Sequence, residues 1–219
     1  MSKARPIRIL LADDHQIVRQ GLRQLLEIES DMEVIGEASD GHEAVEAAKR
    51  AKPDVAIMDV SMPNMNGIEA TRQIGKAGLK TRVICLSMHK EQRMISAMLD
   101  AGAAGYLLKS CAARELAQAV RAVARGETFL STAIAGSVVG RLLARERGDA
   151  GRPFATMTDR ERQVLQLIAE GLSAKEAGGR LGISQKTVLA HRRSIMDKLD
   201  LHSTAEMARY ALREGLTEL

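Results

Sequence analysis

The sequence predicts an α/β doubly wound sheet of five parallel strands, followed in the same chain by an all-α domain of four helices. Three observations carry this. In residues 1–130, short unbroken apolar runs alternate with helix-period stripes, the pattern of a parallel sheet covered on both faces. Four of those runs end at a charged or hydroxyl-bearing residue. Beyond residue 156 the strand pattern disappears and helix-start signals recur at short intervals.

Ile7-Arg-Ile-Leu-Leu-Ala12 reads as the first strand and runs into Asp13-Asp14. Val18, Leu22, Leu25 and Leu26 then fall at i, i+4, i+7 and i+8, a helix stripe. Glu33–Ala38 is a short strand whose charges place it at an edge, and Asp40-Gly41 turns the chain into an Ala-rich helix ending near Lys52. Val55-Ala-Ile-Met58 is apolar without a break and stops at Asp59; Met62-Pro63 and Asn66-Gly67 then mark a turn. A helix follows over 68–77, with Gly78 suited to its C-cap. Arg82–Ser87 is the fourth strand, and Met94, Ile95, Met98 and Leu99 stripe a helix that stops before Gly102. Gly105–Leu108 is the fifth strand, and Leu116, Val120 and Val123 stripe a helix that stops at Gly126.

Parallel strands put their carboxyl ends on one edge, where open α/β sheets bind ligands. That edge gathers Asp13 and Asp14, Asp59, Ser87 and Lys109. Taken singly, each is accounted for as a helix cap or a surface charge. Together, three carboxylates repel unless a cation joins them, and a hard divalent ion on carboxylates and waters is a Mg²⁺ site. An exposed carboxylate beside Mg²⁺ suits phosphoryl chemistry, with Asp59 as nucleophile. Lys109 would then neutralise phosphoryl oxygens and Ser87 donate a hydrogen bond to one of them.

Ile134, Val138, Val139, Leu142 and Leu143 predict one more amphipathic helix from about Ser131, and Gly148–Pro153 a flexible hinge. After it, Thr158-x-x-Glu161, Ser173-x-x-Glu176 and Ser203-x-x-Glu206 read as capping boxes, and Ser184 as a further cap. They predict helices over 159–170, 174–181, 185–199 and 204–214, with Gly171, Gly182 and Gly215 just past helix ends. The second and third, joined by Gly182-Ile183-Ser184, make a helix-turn-helix. On the third, Val188, His191, Ile195 and Leu199 face the core, while Lys186, Leu189, Arg192, Arg193 and Lys198 point elsewhere. A basic second helix after a tight turn is the arrangement that enters the major groove of double-stranded DNA. Gly178 and Gly179 lie inside the second helix, where alanine at 178 is expected to stabilise by roughly 0.5–1 kcal/mol.

Charge agrees with this division. Residues 1–130 hold 18 basic and 17 acidic residues, residues 131–219 hold 14 and 11, and Ser173–Leu199 alone holds 6 and 2. A basic excess of this kind points to nucleic acid only where a motif agrees. Cys85 and Cys111 form neither a disulfide framework nor a metal spacing. No apolar run approaches the roughly 20 residues of a membrane span, and the N-terminus is too charged for a signal peptide. A cytoplasmic protein with no membrane association is expected.

The motifs Asp13-Asp14, Met58-Asp59 with Met62-Pro63 and Gly67, Ser87, Ala101-Gly102-Ala103 and Gly105–Lys109 make residues 7–126 resemble the receiver domain of bacterial two-component response regulators. The resemblance implies a flavodoxin-like fold and phosphate accepted on Asp59 from a sensor histidine kinase or phosphotransfer protein. It implies Mg²⁺ held by Asp14, Asp59 and the backbone carbonyl of Ser61, with Asp13 acting through water. It also makes Ser87 and Tyr106 a switch pair whose side chains turn inward on phosphorylation. One departure is Ser110, where many receivers have proline after the lysine.

Met157–Leu165, Ala169–Glu176, Leu181–Val188, His191 and Ile195–Leu199 in turn resemble the LuxR-type DNA-binding domain over about residues 156–215. By family position Leu189, Ala190 and Arg193 meet base edges, and Lys175, Ser184, Thr187, Arg192 and Lys198 lie near phosphates, with Lys186 on the same basic helix. Ala177-Gly178-Gly179 and Leu189 depart from the family pattern, the latter standing where lysine is common. Leucine there shifts readout toward apolar contact, such as a thymine methyl.

Receiver plus this domain defines the NarL/FixJ class. The expected division is a receiver over 1–130, a linker helix and hinge over 131–156, and the DNA-binding domain over 157–219. The expected function is a transcriptional regulator, not an enzyme, in which phosphorylation of Asp59 switches dimerisation and DNA binding. Its expected partners are the kinase, DNA, a second copy of the chain when phosphorylated, and RNA polymerase. A phosphatase using Asp59 as nucleophile is disfavoured: haloacid-dehalogenase-type enzymes need an acid two residues later, where this chain has Ser61. The other alternative is a regulator that binds DNA regardless of phosphate; the intact acidic cluster argues against it.

Overall fold

A computed structural model describes residues 5–88, 92–111, 113–134 and 157–217. The chain divides into two compact units, Met1–Leu143 and Ala144–Leu219. Of the helix expected from about Ser131, residues 132–134 are helical; the rest of it, and the hinge over 148–153, lie outside the described residues.

In the first unit, β1 (Ile7–Ala12), β2 (Met32–Ala38), β3 (Val55–Asp59), β4 (Arg82–Ser87) and β5 (Gly105–Leu108) are joined by a sixth strand, β6 (Phe129–Leu130). All pair in parallel, in the order β2-β1-β3-β4-β5-β6. The expected five strands are therefore present and a two-residue sixth extends the far edge. Two residues are too few to show an alternating or continuous apolar pattern, so this strand leaves no signal in the sequence. The helices are α1 (Gln16–Glu27), α2 (Gly41–Ala51), α3 (Gly67–Lys76), α4 (Gln92–Asp100) and α5 (Ala113–Ala124).

Alternate residues of each strand feed two separate cores. Leu10, Ala56, Met58 and Cys85 pack with α2, α3 and α4, whereas Ile9, Leu11, Ile57 and Leu86 pack with α1 and α5. Covering both faces explains the unbroken apolar runs. Position β2, the charged strand, lies at the edge as expected. Leu25 departs from expectation: it is 42% exposed, because the buried stripe of α1 is narrow and centres on Leu26.

The second unit holds α6 (Asp159–Ala169), α7 (Ala174–Leu181), α8 (Gln185–Leu199) and α9 (Thr204–Arg213) around one core that includes Val164, Leu165, Ala177, Val188, Ile195 and Met207. Thr158–Glu161 and Ser173–Glu176 form reciprocal capping boxes. The third is only half formed. Ser203 accepts from the Glu206 backbone N–H, but the Glu206 carboxylate accepts at 2.6 Å from the backbone N–H of His202 instead of Ser203. Gly182 ends α7 in the left-handed conformation, φ 64°, and the Ile183 N–H donates back to the Gly178 carbonyl.

That return corrects the expectation for Gly178. A Cβ there would stand 2.8 Å from the Ile183 carbonyl oxygen, a backbone atom of the turn, so alanine overpacks the site. The exposed Gly179 has nothing within 4 Å of an added Cβ.

Candidate functional site

In the first unit the sheet order places β1 between β2 and β3, so connections leave β1 and β3 in opposite directions. Asp13 follows β1 and Asp59 ends β3, on either side of this switch point, where doubly wound sheets open a crevice. Register completes the edge: Ala12 lies beside Met58, Asp59 beside Leu86, and Ser87 beside Leu108, directly before Lys109.

Ligand-capable atoms of Asp13, Asp14, His15 and Asp59 all lie within 4.8 Å of one another. Lys109 Nζ reaches into the same group, 2.8 Å from Asp13 Oδ2 and 2.7 Å from Asp59 Oδ2. Asp13 and Asp59 are buried, Asp14 exposed. Burial pushes the Asp59 carboxyl up to about 6, although hydrogen bonding and charge from Lys109 pull the other way. Burial also opposes the Lys109 ammonium, but Asp13 and Asp59 outweigh it and raise its pKa.

Asp59 does not cap the next helix; Asn66 does, accepting from the Glu69 N–H at 2.9 Å. Gly67 is required for a different reason from a turn preference. An added Cβ would lie 1.8 Å from the Asp59 carbonyl oxygen, so only glycine lets α3 begin against the end of β3. Ser61 sits half-buried in that connection. Ser87 and Tyr106 are completely buried, so the pair already faces inward here. No described peptide bond is cis, that between Lys109 and Ser110 included. His15 was missed from sequence. It donates its backbone N–H to Asp13 Oδ1 at 2.9 Å, and its Nδ1 stands 2.8 Å from Asp14 Oδ1. Its place directly after Asp13-Asp14 was the available signal.

In the second unit, Lys175 at the start of α7, the α8 N-cap Ser184, and Lys186, Thr187, Leu189, Ala190 and Arg193 on α8 are all exposed. The Ser184 hydroxyl accepts from the Thr187 N–H at 3.1 Å. Two of the expected DNA-facing cations are otherwise engaged. Arg192 is half-buried and donates to Thr204 Oγ1 at 2.9 Å. Lys198 Nζ lies 2.8 Å from both carboxylate oxygens of the buried Glu161, which also accepts from Ser194 at 2.7 Å and from the Thr158 backbone N–H. Burial pushes the Glu161 carboxyl up, but these donors, Lys198 foremost, outweigh it and hold it at about 2. Next to it, Arg160 donates to the Leu181 carbonyl at 2.6 Å. Consecutive residues of α6 thus grip the end of α7 and the C-terminal half of α8. Sequence reasoning took Glu161 only as half of a capping box.

Among the described residues no helix is long and apolar enough to cross a membrane. Residues 9–121 match the response regulator receiver domain family, and residues 155–211 match the luxR family of bacterial regulatory proteins. The chain is 44% identical over 210 residues to the transcriptional regulatory protein LiaR of Bacillus subtilis, covering 96% of this chain and 99% of that one. Among solved structures it is similar to the response regulator ChrA of a heme-sensing two-component system, with 32% identity and TM-score 0.55, covering 97% of this chain and 100% of that one. It is also similar to RcsB in a structure of two dimers bound to two parallel DNAs, with 27% identity and TM-score 0.58, covering 94% and 98%. A receiver with its acidic edge and a LuxR-type helix-turn-helix in one chain, matched along nearly the whole length of a transcriptional regulator, place this protein among the response regulators of the NarL/FixJ class.

Proposed function

We propose that Asp59 is the phosphoryl acceptor of this regulator and that its phosphorylation promotes dimerisation and DNA binding in the cytoplasm. The observation that carries the proposal is the convergence of three carboxylates and Lys109 at the sheet edge. The donor set fits Mg²⁺: oxygen ligands clustered within 4.8 Å, partly open to water. Asp13, Asp14, Asp59 and the Ser61 carbonyl would hold the ion, which would supply charge neutralisation for the phosphoryl oxygens.

Ionised Asp59 attacks phosphorus; the P–N bond of a donor phosphohistidine breaks and the imidazole leaves with the electron pair. Lys109, now shared between Asp13 and Asp59, pairs with phosphoryl oxygens instead, and the Ser87 hydroxyl donates to one of them. Any phosphotransfer or dephosphorylation is the protein acting on itself, with no external substrate turned over. Loss of the Lys109 contacts and gain of charge at the ends of β3 and β4 bias the Ser87–Tyr106 region between two arrangements. The exposed stretch of α8 then reads the major groove, with Arg193 and Ala190 toward bases and Lys175, Ser184, Lys186 and Thr187 toward phosphates. Two chains would read two half-sites related by two-fold symmetry. A sensor kinase or phosphotransfer protein is the phosphoryl source, and RNA polymerase a further partner.

Incubation with acetyl phosphate and Mg²⁺ tests the acceptor. The wild type is expected to take up acid-labile phosphate, Asp59→Asn to take up none, and EDTA to block uptake. Full uptake in Asp59→Asn removes the assignment.

A further inference from the structure

The outward side of α8 and its N-cap is small, hydroxylic or cationic at Ser184, Thr187, Ala190, Lys186 and Arg193. Leu189 interrupts it. At 44% exposure it is the only strongly exposed large apolar side chain among the described residues of 157–217. It does not stand on a featureless surface: it lines one concave surface with Arg192, Arg193, Met196, Leu201 and His202. Asp197 is the single carboxylate in that lining, against two guanidinium groups, so the concavity is apolar at Leu189 and Met196 and positive around them.

An apolar group framed by cations matches the major groove of DNA, where phosphates flank base edges. On those edges thymine alone presents a methyl group. We infer that Leu189 selects thymine, packing its side chain on the C5 methyl of one thymine in each half-site. The inference rests on the reading of α8 as the groove helix. Geometry also places the thymine. Arg193 lies four residues further along the same face, about 6 Å along the helix axis. Successive bases rise about 3.4 Å, so the methyl contact falls one or two steps from the base or phosphate that Arg193 meets. Arginine and leucine on adjacent turns then distinguish a short mixed sequence that a second cation at position 189 would not.

The test uses the full chain with acetyl phosphate and Mg²⁺. High-affinity duplexes are selected from a random library, and each thymine of the selected half-site is replaced in turn by deoxyuridine, which pairs alike but lacks the methyl. One thymine per half-site is expected to be methyl-sensitive, its replacement weakening wild-type binding about fourfold, the worth of one buried methyl-sized group. Leu189→Ala is expected to lose that sensitivity and to bind the methylated site about fourfold more weakly. Leu189→Met, which keeps an apolar side chain of similar size, should retain it. The exposure of Leu189 keeps these variants folded. Binding with no methyl-sensitive thymine, or undiminished sensitivity in Leu189→Ala, overturns the inference while leaving DNA binding intact. Failure to select any duplex overturns the DNA-binding reading itself, and the inference with it.

Discussion

Replacing Glu161 by glutamine tests how α8 is held. A carboxyl held at about 2 in the folded domain, against the ordinary 4.5, contributes about 3 kcal/mol at neutral pH. Lys198 is 35% exposed, and water around it screens this to about 2 kcal/mol. The sign follows from the lowered value. Glu161 binds a proton more readily unfolded than folded, so its contribution is complete above pH 4.5 and is lost as pH falls toward 2. Glu161→Gln is therefore expected to cost about 2 kcal/mol at pH 7 and less than about 1 kcal/mol at pH 3. Hydrogen exchange of peptides from α6 and α8, followed through a urea series, reads the opening free energy of this domain inside the full chain. Two kcal/mol appears as roughly a 30-fold loss of protection at pH 7. A loss below about 0.5 kcal/mol at pH 7, or one independent of pH, refutes the reasoning.

Four further outcomes follow from the same geometry. Lys198→Met should leave the salt dependence of DNA binding unchanged, because its ammonium is spent on Glu161; a slope reduced by about one would show that Lys198 leaves Glu161 for a phosphate. Gly178→Ala should lower the stability of the second domain by about 1–2 kcal/mol, and Gly179→Ala raise it by about 0.5–1 kcal/mol, in denaturant titration; the reverse order contradicts the close approach to Ile183. Gly67→Ala should destabilise the receiver by about 3 kcal/mol or more and abolish phosphate uptake, since its Cβ displaces the Asp59 backbone; normal uptake would contradict this. Because burial raises Asp59 to about 6, ionising it costs the metal-free folded state nothing below pH 3.8 and the full amount above pH 6. Asp59→Asn should therefore stabilise the metal-free receiver by about 3 kcal/mol at pH 8, a gain that closes toward pH 4 and shrinks with Mg²⁺; a gain constant across pH would contradict burial as the cause.

Much of this molecule is legible in its sequence because local and global signals agree. The unbroken run Val55–Met58 reports a strand covered on both faces, and Thr158 and Ser173 mark helix starts that form as read. What escaped depended on how atoms meet in three dimensions, near or far along the chain, and not on residue type or spacing. The roles of Gly67 and Gly178 lie in backbone atoms they nearly touch, which no turn preference encodes. Lys198 looks like any solvated cation until Glu161, 37 residues earlier, is found beneath it. Ser203 keeps only half its box because the Glu206 carboxylate meets the His202 N–H, a choice that depends on how the chain enters α9. The acidic edge was readable in advance because parallel strands align their ends, so topology alone assembled Asp13, Asp59 and Lys109.

The central claim is that phosphate on Asp59 controls DNA binding, and one equilibrium measurement addresses it most directly. The affinity of the full chain for its selected duplex is measured before and after treatment with acetyl phosphate and Mg²⁺, beside Asp59→Asn treated identically. Phosphorylation is expected to tighten wild-type binding by about tenfold, within the usual range of allosteric coupling, and to leave Asp59→Asn unchanged. Equal affinity of the two wild-type forms, or the same gain in Asp59→Asn, would contradict the account.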